Sequence, residues 1–268
     1  MIKLRIKPRE NNTHKGHYGH ALLVAGHIGF MGAAVITSKA CLRAGVGLLT
    51  VQVPKDERFI LQVAVPEAML LMRESEEDDN FDKYSAIGIG PGLGTSKEAE
   101  ELLLQILMRY EKPMVIDADA INIIAANHKL LELVARDSIL TPHPKEFDRL
   151  FGHHETEEAR ALTAVKKAKE HGVVIVLKGH RTLVTYAGTS YVNYTGNAGL
   201  AKGGSGDALT GIITAFMAQG YKPYYAAKLG VYLHGLAADI TLQNQSMESM
   251  LITDVIDNLG KAFNDVLS

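Results

Sequence analysis

The chain has 268 residues, 47% hydrophobic and 22% charged, with a formal net charge of −2; this is an ordinary globular balance, long enough for one large domain or two small ones. Such a charge excludes a partner held by a global basic field, whether nucleic acid or an anionic membrane, and no apolar run approaches the ~20 residues of a membrane span. The N-terminus MIKLRIKPRENN is too charged for a secretory signal, and the single cysteine, Cys41, allows no internal disulfide, so a cytoplasmic protein is expected, with Cys41 a small buried hydrophobe.

In chain order, ALLVAG (21–26) reads as a buried strand and MGAAVITSKACLRAG (31–45) as a helix stopped by Gly45. GLLTVQV (47–53) is a second strand closed by Pro54, and YSAIGIGPGLG (84–94) is a strand running into a glycine-rich loop. SKEAEELLLQILMRY (96–110) has the apolar spacing of a helix. PMVIDADAIN (113–122) reads as a strand ending in acids, and SILTPHPKEFDRLFG (138–152) as a short strand, a proline turn and a short helix. VVIVLKG (173–179) is a strand, RTLVTYAGTSYVNYTG (181–196) a hairpin turned at Ala187-Gly188, and three helices follow around 206–219, 223–242 and 250–266. Repeated strand-then-helix order, with strands apolar on both faces, predicts an α/β layered fold with a largely parallel sheet. A C-terminal helix is expected to cap the ligand crevice, and the acidic stretch EEDDNFD (76–82) to be a solvated loop.

LAKGGSGDALTG (200–211) concentrates the chemistry. Glycines opening a helix let unpaired backbone N–H groups approach an anion, and the helix end carries partial positive charge. Asp207 at that mouth has two readings: a first-turn acid supporting the helix, or a general base taking a proton from a substrate hydroxyl while the amides hold a transferring phosphoryl. Lys202 is either a phosphate-neutralising cation or an exposed loop lysine. The string is not a Walker loop, because no G-x-x-x-x-G-K-[ST] occurs, and GPGLG (90–94) lacks the G-x-G-x-x-G spacing of a dinucleotide fingerprint.

TGNAGLAKGGSGDALTGII (195–213) resembles the signature of the ribokinase-like superfamily and, within it, the ADP/ATP-dependent NAD(P)H-hydrate dehydratases; HKGHYGHALLVAG, AIGIGPGLG, VIDADAIN, LTPHPKEFDRLFG and VIVLKGHRTLV follow that family's order. The resemblance implies a ribokinase-like three-layer α/β/α fold, a single dehydratase domain over residues 1–268, and dehydration of the S-epimer of hydrated NADH or NADPH. Phosphoryl transfer from ADP (giving AMP) or ATP (giving ADP) turns a poor leaving group, hydroxide, into phosphate, whose departure restores NAD(P)H. It further implies Mg²⁺, a homo-oligomer of tetrameric size, and a separate epimerase, the chain having no room for one. Residue by residue, it makes Asp207 the catalytic base and Gly204, Ser205 and Gly206 the anion hole. Gly206 and the run Lys178, Gly179, His180, Arg181 and Thr182 would bind nucleotide; Ala33, Gly90, His143 and Asp207 the hydrated cofactor; Lys202 and Asn197 the phosphates. Glu146, from H-P-K-E where the superfamily often has N-x-x-E, and Asp117 would serve the metal; Asp117 reads equally as a cap on the following helix. Ser205 replaces the commoner threonine and Ala198 a frequent proline, neither of which disturbs the chemistry. The alternative on the same scaffold is a small-molecule kinase, for a thiazole or a pyrimidine, that stops at the phosphorylated product.

Three other signals have plainer readings. His14, His17 and His20 invite a zinc site, but glycines separate them and no carboxylate or thiol is near in sequence. HHE (153–155) reads as a solvated turn opening a helix, and Tyr191 and Tyr194 as packing residues sharing one hairpin face.

Overall fold

In the computed structural model, which describes residues 6–73 and 80–267, the chain alternates as the strand pattern predicts. The first half runs β1 (His20–Val24), α1 (Met31–Arg43), β2 (Leu48–Val53), α2 (Arg58–Ala64), β3 (Met69–Met72), β4 (Ala86–Ile89), α3 (Lys97–Arg109), β5 (Val115–Ile116) and α4 (Ala118–Ala126). Then come β6 (Ile139–Leu140), α5 (Pro144–Phe151), α6 (Glu157–His171), β7 (Val174–Leu177), β8 (Leu183–Tyr186) and β9 (Thr189–Val192). Four helices close the chain: α7 (Ser205–Ala218), α8 (Pro223–Thr241), α9 (Ile252–Asp257) and α10 (Leu259–Leu267).

Among the described residues the strands form one nine-stranded sheet in the order β3-β2-β1-β4-β5-β6-β7-β8-β9. Pairing is parallel from β3 to β7, and the β7–β8–β9 end is antiparallel. Strand residues alternate between two cores, as a period of two demands. Ala21, Leu23, Val174 and Val176 face the layer of α1, α7 and α8, whereas Leu22, Val24, Ile175 and Leu177 face α3 to α6. This is the expected three-layer α/β/α architecture.

Helix α7 is the central rod of its layer. Every residue from Ala208 to Ala218 is buried, so it is enclosed all round, with Thr210 and Thr214 its buried polar groups. Its tightest neighbour is α1: a Cβ at Gly211 would lie 2.1 Å from the Thr37 carbonyl oxygen, an approach only glycine permits.

The order of strands reverses between β1 and β4, the point at which a sheet of this kind opens a crevice beyond its carboxyl ends. Loops from both strands close its floor: Gly26 N–H donates to the Pro91 carbonyl (2.8 Å), and His27 Nδ1 lies 2.7 Å from the Gly92 carbonyl oxygen.

Several segments differ from the sequence reading. The predicted strand over 113–122 is only two residues long, because the chain turns at Asp117, Ala118 takes a φ of +46°, and Ile121, Ile123 and Ile124 then bury on a helix. The predicted last helix is two, α9 and α10. Asn258 separates them, donating from Nδ2 to the Asp254 carbonyl and to Thr241 Oγ1, a local competition typical of Asn. The sequence reading leaves α2, β3 and most of α6 unassigned; α6 fully buries only Ala164 and Ala168, too few apolar positions to announce itself.

HHE is not simply a solvated turn. His154 bridges Asp148 and Thr163, and Arg160 grips Asp148 through two nitrogens. Of the acidic stretch, residues 76–79 lie outside the described residues, while Phe81 is buried. Tyr191 and Tyr194 do not share a face: Tyr191 lies on β9 against Lys228, whereas Tyr194 is beyond the strand and 71% exposed. The histidines near the N-terminus are structural neighbours: His14 Nδ1 accepts Gly16 N–H, His17 Nδ1 accepts His14 N–H, and His20 Nε2 contacts Thr50 Oγ1. No described helix is long and apolar enough to cross a membrane.

Candidate functional site

A cleft of about 810 Å³ opens at the carboxyl end of the sheet, between the start of α7, the ends of β5 to β7, the hairpin side and α8. Asp117, His143, Glu146, Lys178, Gly179, His180, Thr182, Asn197, Lys202, Ser205, Gly206 and Asp207 all line it. Twelve of the residues singled out by sequence, drawn from five separate segments, are thereby brought together.

At the mouth of α7, Gly204 is the residue before the first helical turn, with φ +90°. A Cβ there would fall 2.7 Å from Ile36 Cδ1, so both conformation and space require glycine. The first full helical bond joins Ala208 N–H to the Gly204 carbonyl, and Ser205 N–H makes only a long 3.4 Å bond to Lys202. The first-turn amides are therefore available to an anion.

Beneath that turn lies a buried charge network. Lys178 Nζ donates to Asp117 Oδ1 at 2.8 Å and is 3.9 Å from Glu146 Oε2. Thr210, on α7, donates to Asp117 Oδ2 at 2.7 Å. A Cβ on Gly206 would be 3.2 Å from Lys178 Nζ, which fixes the helix mouth directly over the lysine. Asp117 precedes α4 yet makes no side-chain capping bond; the helix-cap reading is set aside in favour of a 1%-exposed carboxylate tied to Lys178 and Thr210.

Electrostatics follow from this crowding. Burial, then the nearby Asp117 charge, outweigh Lys178 and raise the Asp207 carboxyl from 3.8 to about 6, with Asp119 and Glu146 adding to the rise. Burial opposes the Lys178 ammonium, but Asp117, Glu146 and Asp207 together hold its pKa above the ordinary value. Burial likewise lifts Glu146 against the pull of Lys178. His143 is held below its usual range by burial, then by Lys178 and Arg149. Its Nδ1 accepts the Lys145 and Glu146 N–H groups while Glu146 Oε2 accepts His143 N–H, a reciprocal cap that opens α5.

Asp117 and Glu146 are hard oxygen donors, which suits Mg²⁺ bound by one or two carboxylates with waters and phosphate oxygens completing its shell. Among the described residues no group of three or more His, Cys, Asp or Glu forms a preassembled metal cluster.

Four expected residues lie off the cleft wall. Gly90 belongs to the crevice loop, where φ is +125° and a Cβ would meet the Asp117 carbonyl at 1.9 Å. Ala33 abuts the same loop, 2.8 Å from where a Gly92 Cβ would stand. Gly204 lies behind the turn, and Arg181 turns outward over the Tyr194 ring at 4.8 Å. Two expected phosphate contacts are engaged elsewhere. The Lys202 ammonium donates to the Glu248 and Met250 carbonyls at 2.6 and 2.7 Å. Asn197 donates to Asp239 and accepts from Gly199 N–H. The sequence reading missed Ala118, Thr195, Gly196, Val231, His234 and Gly235, which also line the cleft; the lone His234 in an apolar helix was the one available signal.

Comparison with known proteins follows the same direction. The sequence model of the NAD(P)H-hydrate dehydratase family matches residues 21–261. A Moorella thermoacetica protein named a bifunctional NAD(P)H-hydrate repair enzyme is 38% identical over 270 residues, covering 95% of this chain and 51% of its own length; the chain thus spans about half of that relative. A Neisseria meningitidis ADP-dependent (S)-NAD(P)H-hydrate dehydratase is 38% identical over 261 residues, covering 94% of this chain and 86% of its own. Among solved structures, the Bacillus subtilis ADP/ATP-dependent NAD(P)H-hydrate dehydratase co-crystallised with ATP and Mg²⁺ superposes with a TM-score of 0.86 at 30% identity, covering 99% and 96% of the two chains. The chain belongs to the NAD(P)H-hydrate dehydratase family.

Proposed function

From membership of that family we infer that this chain restores NAD(P)H from its S-configured hydrate at the expense of ADP or ATP, a repair of a damaged cofactor. The observation that carries this reading is Asp207, raised to about 6 and standing in the first turn of α7. A base of that strength is mostly ionised at neutral pH yet basic enough to take a hydroxyl proton as the oxygen attacks phosphorus.

Asp207 removes the proton from the ring hydroxyl of the hydrate. The oxygen attacks the terminal phosphoryl of the nucleotide, and AMP or ADP departs. Amides of Ser205 and Gly206, on the turn that Gly204 shapes, hold the equatorial oxygens, where charge accumulates. The phosphorylated ring then loses inorganic phosphate with its C–O electron pair and a proton from the adjacent carbon, helped by the ring nitrogen lone pair, and the double bond returns. Lys178, kept protonated by Asp117 and Glu146, supplies fixed positive charge under the helix mouth. Gly179, His180 and Thr182 form the nucleotide wall with Arg181 at its rim, while His143, Gly90 and Ala33 flank the hydrate. Asp117 and Glu146 would hold Mg²⁺, which would neutralise phosphate charge when bound. Lys202 and Asn197 act on the phosphates by bracing the loop over them.

The single cysteine accords with a reducing, cytoplasmic setting for the reaction, and residues 1–268 act as one dehydratase unit. The exposed Phe59 and Val63 of α2, beside the edge strand β3, give an apolar face suited to a homo-oligomer of tetrameric size.

The assay mixes protein with the hydrate, Mg²⁺ and ADP or ATP and follows the reduced-nicotinamide absorbance. Recovered absorbance with one phosphate released per turnover is expected. Nucleotide consumed without recovery identifies a kinase instead and overturns the reading.

A further inference from the structure

His234 lies on α8 and lines the cleft with Val231 and Gly235. It is 7% exposed, and its Nε2 is buried with no hydrogen-bond partner. Buried polar nitrogens are almost always paired, so an orphan on a ligand-sized cleft marks a partner still to arrive.

The turn of α8 that carries the ring is held firmly. A Cβ at Gly235 would stand 2.4 Å from Thr195 Oγ1, and that hydroxyl donates to the Tyr232 carbonyl at 2.9 Å, so this turn of α8 is keyed to the loop at 195–196. Leu200, Leu209 and Val231 give the cleft apolar lining beside the polar Thr195 and Asn197. The charged groups that handle phosphate, Lys178 and the first-turn amides, belong to the floor and the α7 mouth.

We infer that His234 Nε2 recognises the nucleoside half of the phosphoryl donor, through a base edge or a ribose hydroxyl, and so sets the affinity for the nucleotide. This rests on the nucleotide-dependent reading above. Burial, with Lys178 adding, lowers the imidazole to about 4, so the ring is neutral at working pH. A neutral ring offers one donor and one acceptor, which suits a base edge or a ribose hydroxyl. A flat apolar body with a polar edge is what the rest of the wall accepts.

The test compares wild type, His234→Phe and His234→Gln by calorimetric titration with ADP and with inorganic pyrophosphate, after circular dichroism shows all three folded. His234→Phe should weaken ADP about tenfold or more while pyrophosphate stays within about twofold, as one lost buried hydrogen bond predicts. His234→Gln should recover most of the ADP affinity. In turnover, KM for nucleotide rises and kcat at saturation holds. Loss of the wild-type preference for ADP over 2′-deoxy-ADP in His234→Phe assigns the ribose, and loss of the preference over GDP assigns the base. Unchanged ADP affinity in His234→Phe, or parallel weakening of ADP and pyrophosphate, overturns the inference. Failure of wild type itself to bind either ADP or ATP removes the functional reading, and this inference with it.

Discussion

Replacing Asp207 by Asn should sharply lower turnover and make the protein more stable, and the size of the gain is set by pH. The Asp207 carboxyl is raised from 3.8 to about 6, chiefly by burial. Well below pH 3.8 the group is protonated in both folded and unfolded chains and contributes nothing. As pH rises, the unfolded chain ionises first, so the folded state binds more protons and stability falls until pH exceeds about 6. Above that, the charged side chain costs about 3 kcal/mol, from roughly 2.2 pKa units at about 1.36 kcal/mol each; at pH 4 the cost is about 0.5 kcal/mol. Asn carries no charge and escapes this cost at every pH. Urea unfolding of both proteins at pH 8 and pH 4 measures the difference; the chain has no tryptophan, so far-ultraviolet circular dichroism is the suitable signal. The stability gap should shrink by roughly 2–3 kcal/mol between pH 8 and pH 4. A gap independent of pH, or a variant less stable than wild type at pH 8, would refute the argument that burial strains this acid. Turnover should fall by about 10²–10⁴, the usual share of a general base.

The same geometry makes two further forecasts. Lys178→Met leaves Asp117 buried without its cation and should cost about 3–5 kcal/mol, with weaker nucleotide binding; adding Asp117→Asn should recover part of the stability and none of the activity. Chemical denaturation of the three variants decides it, and a double mutant no more stable than Lys178→Met alone would show that the pair is not coupled. Gly204→Ala forces a Cβ into the left-handed region and against Ile36, so it should lose about 1–3 kcal/mol of stability and lower kcat more than it raises KM. Near-normal kcat with altered KM would mean that the turn does not shape the transition state.

Much of the frame was legible because its signals are local. Apolar strands such as VIVL announce themselves, and Gly45, at φ +94°, ends α1 as its position suggested. The glycine loop gave away the helix mouth for the same reason. The network below it was not legible: Lys178 and Asp117 are 61 residues apart, and Asp117 and Thr210 93 apart, so no spacing rule joins them. Asp117 read equally as a cap until the absence of a capping bond separated the readings. The turn at Ala118 hid a helix inside an apparent strand, since VIDADAIN suits either period over so short a run. His234 was passed over because hydrophobic periodicity describes a helix's face but not which polar atom it leaves unmet.

In the proposed reaction the proton acceptor and the anion-binding amides share helix α7, one shaft that is gripped along its length, from Ala208 to Ala218. Neither group can travel without the other, and neither can travel far without prising open the layer against α1. The reactants must therefore be brought to a stationary anvil, and whatever opening and closing the cycle demands falls to the outer walls: the hairpin, the loop braced by Lys202, and the two crevice loops tied at Gly26 and Pro91.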